Sequence, residues 1–238
     1  MNNSILAFIQ KASVKGEKLL AILLDPDKTS LDKLPEISSR IDTLNANFIC
    51  VGGSFVENLL TDLFVQSLKK NTKLPVILFP GDFSQLTNYA DGLLFLSLLS
   101  GRNPEYLIEQ QIKSVPFLKN SSLEIIPTGY ILIDGGTNSS VLKMSNTKPI
   151  SQENIQLAVH TAVAGMYKGK QLIYLEAGSG AKIPVNSQLI SEVKKHINIP
   201  LIVGGGIKTK GQLENAYKNG ADLVVIGTAF ENNASFKF

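Results

Sequence analysis

The chain has 238 residues, 44% of them hydrophobic, with a formal net charge of +3 and lysines dispersed along its length, which leaves nucleic-acid binding without support and favours small anionic ligands. The length suits one domain near the ~250 residues of a (β/α)8 barrel, and the lone Cys50 excludes an internal disulfide and agrees with a reducing compartment. No apolar run reaches the ~20 residues of a membrane span and Ser4–Lys18 lacks a leader pattern, so a cytoplasmic protein without a permanent membrane anchor is expected, with a homo-oligomer as its assembly.

In chain order, short apolar runs alternate with helical patterns, the signature of βα units and a parallel sheet. Strands are expected near Leu19–Leu24, Phe48–Val51, Pro75–Phe79, Gly92–Ser97, Leu123–Pro127, Gln171–Glu176, Pro200–Val203 and Leu223–Ile226. Most are continuously apolar, as strands buried on both faces require. Leu31, Leu34, Ile37, Ile41 and Leu44 recur at helical spacing, as do Val56, Leu59, Leu60, Leu63 and Leu68. Thr209 and Gln212 form a capping box for a helix that Gly220 ends. Two places break the alternation. Only Asp82–Asp91 lies between the third and fourth strands, short for a helix, and Asp134–Pro149 is long for a βα loop and a candidate lid. The fold class is therefore α/β, a TIM barrel formed by residues 1–238 with a short, irregular crossover in place of a full third helix.

Candidate chemistry gathers at the C-terminal ends of these strands. Strand six ends in Tyr174-Leu175-Glu176-Ala177-Gly178-Ser179-Gly180, strand seven in Gly205-Gly206, and strand eight in Gly227-Thr228. Glycine there lets unshielded backbone N–H groups approach a phosphate, and loops seven and eight are where barrels commonly bind one. Glu176 beside that clamp is a candidate general base for a substrate hydroxyl; nearby phosphate charge would raise its pKa. Asp25, ending strand one, is placed to hold a hard divalent cation, since Mg2+ takes one or two carboxylates together with substrate phosphate oxygens. Asp27 reads equally as a turn cap and Lys28 as a solvated side chain. Ser54, after strand two, could complete the magnesium shell, and competes for the role of N-cap. His160 and His196 read as ordinary helix residues.

Several segments resemble the geranylgeranylglyceryl phosphate synthases and their heptaprenyl-transferring relatives. They are Leu24–Lys28, Val51–Ser54, Ser97–Pro104, Pro127–Tyr130, Tyr174–Ala181, Val203–Ile207 and Gly227-Thr228. The segment Gly129–Pro149 resembles the branch of that family containing bacterial members. The resemblance implies magnesium-dependent prenyl transfer from a polyprenyl diphosphate to the primary hydroxyl of sn-glycerol 1-phosphate, on a barrel lacking its third helix. It matches Asp25 and Ser54 to the magnesium residues, and Tyr174–Gly180, Gly205, Gly206, Gly227 and Thr228 to the glycerol-phosphate site. It favours geranylgeranyl diphosphate as donor, with heptaprenyl transfer as the alternative. Phe79, Phe83, Leu94, Leu96, Leu98, Leu99, Tyr130 and Ile133 could line a prenyl groove.

Two other readings stand beside this one. A phosphate-binding isomerase or aldolase shares the clamp, but handles polar substrates and leaves the apolar rim unexplained. A non-catalytic phosphometabolite-binding barrel leaves Glu176 without purpose.

Overall fold

A computed structural model describes residues 4–53, 60–137 and 140–233. Eight parallel strands close into a barrel in sequence order: β1 (Leu19–Leu24), β2 (Phe48–Val51), β3 (Val76–Leu78), β4 (Gly92–Leu98), β5 (Glu124–Leu132), β6 (Leu172–Glu176), β7 (Leu201–Gly204) and β8 (Leu223–Ile226). Alternation along each strand sorts the apolar residues into two sets. Ala21, Phe48, Cys50, Ile77, Leu94, Tyr130, Tyr174, Ile202 and Val225 fill the barrel interior, while Ile22, Ile49, Leu175, Val203 and Val224 pack outward against the helices. Cys50 is buried, as expected of a core residue, and burial pushes its thiol up to about 12.

The outer layer contains α2 (Leu34–Thr43), α3 (Leu60–Lys69), α4 (Gln110–Leu118), α6 (Ile155–Tyr167), α7 (Ser187–His196) and α8 (Lys210–Lys218). The α8 N-terminus carries the expected capping box, with the Thr209 and Gln212 side chains each satisfying the other's backbone. His160 lies in α6 and His196 in α7. Val56 and Leu59 fall outside the described residues.

An unanticipated element, α1 (Ile5–Lys15), closes the bottom of the barrel by inserting Ile5, Ile9 and Ala12 into the interior set. The Glu124 carboxylate holds its N-terminus, accepting from the Ile5 and Leu6 N–H groups at 2.6 and 2.9 Å and from the Ser4 hydroxyl at 2.6 Å. A negative charge at that end also complements the helix dipole.

Between β3 and β4 the only described helical structure is a single 3-10 turn, Phe83–Gln85, so the third helix of the barrel is missing as expected. The sheet splits at this place. β3 pairs with β4 only through Ile77↔Gly92 and Leu78↔Leu93, while β4 pairs with β5 as far as Leu98↔Tyr130. The Leu94–Leu98 half of β4 therefore presents an edge without β3 beside it. The Gln111 amide from α4 donates to the Leu96 carbonyl on this strand. β5 runs five residues beyond the expected Pro127 because Thr128–Leu132 pair with Leu172–Glu176 of β6.

Candidate active site

A cavity of about 850 Å3 opens at the C-terminal end of the barrel. Of the candidate residues, it is lined by Asp25, Tyr174, Glu176, Gly178, Ser179, Gly180, Gly205, Gly206, Gly227 and Thr228. Leu175 and Ala177 belong to the outer packed layer, so substrate contact at those two positions would have to come from backbone. Ser54 lies outside the described residues.

Glu176 ends β6 and is 6% exposed. One carboxylate oxygen accepts from the Gly178 N–H at 2.7 Å, and no described lysine is paired with it. Burial raises its pKa from 4.5 to about 7, against the lowering influence of the Tyr174 hydroxyl and the Gly178 N–H. The cause is thus desolvation by the barrel itself, before any phosphate arrives. The Tyr174 hydroxyl is buried without a partner of standard hydrogen-bond geometry, so its contact with Glu176 is electrostatic proximity rather than a formed bond. Phe79 stacks on Tyr174 with ring centroids 5.4 Å apart, and Tyr130 meets Tyr174 edge-on, also at 5.4 Å. Burial, followed by the Glu176 charge, raises the phenols of both tyrosines well above their ordinary value.

The glycines have a second purpose that the sequence did not disclose. A Cβ on Gly204 would stand 2.3 Å from the Tyr174 hydroxyl and 2.8 Å from the Glu176 carboxylate. On Gly205, at φ +80°, it would stand 2.4 Å from Glu176 Oε1 and 2.7 Å from the Gly178 nitrogen. These two glycines make room for the buried carboxylate. On Gly206, at φ +72°, a Cβ would stand 2.9–3.0 Å from the Ile183–Pro184 backbone. A side chain there would collide with the protein as well as obstruct an anion. Across the clamp, the Ser179 and Thr228 hydroxyls lie 3.1 Å apart.

Asp25 follows β1, the strand that pairs with β8, and so stands beside the clamp. Its carboxylate accepts from the Asp27 N–H at 3.2 Å and from Lys28 Nζ at 2.5 Å. Asp27 and Lys28 also line the cavity. Burial works against protonated Lys28, but the hydrogen bond to Asp25 and the charges of Asp25, Glu231 and Asp27 outweigh it and raise its pKa. A Cβ on Gly53 would stand 2.7 Å from Asp25 Oδ1, so the end of β2 packs closely on this carboxylate. The sequence reading missed Glu231, at the end of α9 (Thr228–Glu231), whose carboxylate accepts the Asp25 N–H at 2.9 Å.

Away from these polar groups the cavity is apolar. Phe79, Phe83, Leu94, Leu96, Leu98 and Tyr130 line it as expected, whereas Leu99 and Ile133 pack into the outer layer. Leu93 and Phe95, on the other face of β4, line it too. The cavity therefore passes over the unpaired edge of β4 from the barrel interior toward the place of the missing helix. The candidate lid contributes Val141, Lys143 and Met144 from α5 (Ser140–Ser145). Its ends are closed on each other by the Ile133↔Ile150 bridge. The Asn103 amide and Tyr106 hydroxyl donate to the Ser145 and Met144 carbonyls at 2.8 and 3.2 Å, so this segment is an anchored wall.

One cavity brings together a glycine-walled anion site, the buried Glu176 carboxylate able to accept a proton, the Asp25 carboxylate and an apolar wall that can take a hydrocarbon. Among known proteins, the PcrB family profile matches residues 12–238. A geranylgeranylglyceryl phosphate synthase of Zunongwangia profunda is 57% identical over 235 residues, covering 96% of this chain and 97% of the relative. One of Flavobacterium johnsoniae is 52% identical over 228 residues, with 96% and 94% covered. The solved structure of (S)-3-O-geranylgeranylglyceryl phosphate synthase from Thermoplasma acidophilum, in complex with substrate sn-glycerol-1-phosphate, superposes with a TM-score of 0.91 at 31% identity, covering 97% of this chain and 92% of that one. From its sequence, its split barrel and these full-length matches, the chain belongs to the PcrB family of geranylgeranylglyceryl phosphate synthases.

Proposed function

We propose that this enzyme transfers a geranylgeranyl group from geranylgeranyl diphosphate to the primary hydroxyl of sn-glycerol 1-phosphate. The product is a prenyl ether of glycerol phosphate, released with diphosphate. The observation that carries this reading is a single cavity joining a buried, raised-pKa carboxylate and a glycine-walled anion site to an apolar channel. The alternative isomerase or aldolase chemistry leaves that channel without a ligand.

Glu176 serves as the general base. With a pKa of about 7 it is partly ionised at neutral pH and can accept the hydroxyl proton as the new C–O bond forms. The Gly178 N–H fixes its orientation, and the hydroxyls of Ser179 and Thr228 with the backbone of Gly205, Gly206 and Gly227 hold the acceptor phosphate. Tyr130, Tyr174 and Phe79 exclude water from the reacting carbon.

The donor end requires charge neutralisation. Asp25 offers one carboxylate on the cavity wall, closely backed by Gly53. One carboxylate suits Mg2+, which is commonly bound through one or two carboxylates together with substrate phosphate oxygens. When bound, Mg2+ would supply Lewis-acid stabilisation of the leaving diphosphate. Asp25 would hold the cation, with Ser54 as its candidate companion, and Lys28 stands at the same carboxylate. One barrel domain carries both substrate sites, and the enzyme works as a cytoplasmic homo-oligomer. No described helix is long and apolar enough to cross a membrane.

Geranylgeranyl diphosphate is taken as the donor because the relatives at 57% and 52% identity are named geranylgeranylglyceryl phosphate synthases, and Phe79, Leu94, Leu96 and Leu98 offer a long chain an apolar wall. Competition among C15, C20 and C35 diphosphates at equal concentration tests this: the C20 product should dominate. Preference for C35 would reassign the donor, and absence of any lipid product would overturn the transfer reaction itself.

A further inference from the structure

We propose that Glu231 is a positioning residue for Asp25, fixing the backbone that carries the cation-binding carboxylate to the same one-turn helix that carries the phosphate-clamp residue Thr228. The inference rests on the reading of Asp25 as the cation residue, and adds to it a group that no sequence motif singled out. The Glu231 carboxylate accepts the Asp25 backbone N–H at 2.9 Å across 206 positions of sequence. It thereby holds the end of β1 at the point where the chain turns into Asp25-Pro26-Asp27-Lys28. The turn is also closed from within, by the Lys28 and Thr29 N–H groups donating to the Asp25 carbonyl at 3.0 Å. Asp25 is thus fixed by its own turn on one side and by Glu231 on the other.

The element that presents Glu231 is itself well held. The Phe230 and Glu231 N–H groups donate to the Gly227 carbonyl at 2.8 and 3.1 Å. Phe230 is 1% exposed, with the Arg40 guanidinium 4.4 Å over its ring, and Arg40 also donates to the Phe230 carbonyl at 3.1 Å. Thr228 faces Ser179 at one end of the turn, and Glu231 reaches Asp25 at the other. The acceptor and donor sites are therefore spaced by one rigid helical turn. A hydrogen bond from a backbone N–H to an ionised acceptor is stronger than a neutral one, but what matters geometrically is the reach of the Glu side chain.

That distinction gives the test. The substitution Glu231→Gln keeps the reach and an acceptor oxygen while losing the charge; Glu231→Asp keeps the charge and loses the reach. Mn2+ binding is measured by electron paramagnetic resonance on the full-length protein in the presence of inorganic pyrophosphate, alongside the glycerol 1-phosphate KM. Glu231→Gln should bind Mn2+ within about threefold of the natural protein. Glu231→Asp should bind it about tenfold more weakly, the scale of one lost charge-assisted hydrogen bond. The acceptor KM should stay within about twofold in both. The reverse order, with Glu231→Asp close to the natural protein and Glu231→Gln weakened, would overturn the proposal by showing that charge rather than reach is used. Equal Mn2+ affinity in all three would overturn it as well. Undiminished binding in Asp25→Asn would instead remove the cation role of Asp25 and the proposal with it, so the two failures are distinguishable.

Discussion

Replacing Glu176 by Gln should separate catalysis from stability in a pH-dependent way. In the folded chain Glu176 has a pKa of about 7 against an ordinary 4.5, with burial as the cause. Between those values the folded protein keeps a proton that the unfolded chain has released. Stability therefore falls as pH rises across that window and levels off above it. At pH 8 the buried carboxylate costs the folded state about 3 kcal/mol. Gln has the same shape, can still accept from the Gly178 N–H, and never ionises. Glu176→Gln should accordingly be more stable than the natural protein by up to about 3 kcal/mol at pH 8, roughly 6–12 °C in Tm for a chain of this size. At pH 4.5 the two should differ little. Turnover should fall 10²–10⁴-fold, about 3–5 kcal/mol of transition-state stabilisation. Urea denaturation at both pH values, paired with product formation, reads both effects. A stability difference that does not change with pH would refute the desolvated carboxylate, and near-normal turnover would refute its role as base.

Four further outcomes are expected. In the natural enzyme kcat/KM should rise with pH through about 7 as Glu176 ionises; a flat profile from pH 5.5 to 8.5 would point to another base. Asp25→Asn should weaken magnesium-dependent use of the prenyl diphosphate while sparing glycerol 1-phosphate affinity, and titration of both substrates would expose the opposite pattern. Thr228→Val should raise the glycerol 1-phosphate KM about tenfold with kcat little changed, as for a lost hydrogen bond to a charged group; an unchanged KM would place the phosphate elsewhere. Gly205→Ala should lose at least about 1 kcal/mol of stability, because of its positive φ, and also turnover, because its Cβ meets Glu176 Oε1; an active, stable variant would contradict the packing described.

The sequence carries the barrel through local signals. β1, β2 and β8 begin and end where their apolar runs do, and the irregular crossover was legible because the segment between the third and fourth strands is short for a helix together with its two connecting loops. β5 was less legible. Pro127-Thr128-Gly129 reads as a strand end, yet the strand continues, with Gly129 packed where a Cβ would stand 2.7 Å from the tip of Leu99 and 3.0 Å from that of Ile173. Its glycine sits in a close-packed strand, which a turn signal imitates. The plug helix α1 was hidden because the Glu124 that caps it lies 119 residues from Ile5 and only the closed barrel brings them together. Glu176 was visible as a carboxylate at a strand end, whereas the cause of its raised pKa required its burial to be known. Glu231 gave no signal, since it lies beyond the last glycine motif and acts across the closure of β8 on β1.

The measurement that tests the central claim most directly is incubation of the purified protein with Mg2+, geranylgeranyl diphosphate and labelled sn-glycerol 1-phosphate, followed by organic extraction and mass spectrometry. The expected result is label in an extractable lipid whose mass is that of one geranylgeranyl ether of glycerol phosphate, formed with one diphosphate released, and absent in Glu176→Gln. Label that stays in the aqueous phase while both substrates bind would contradict the account and leave a barrel that holds its ligands without joining them.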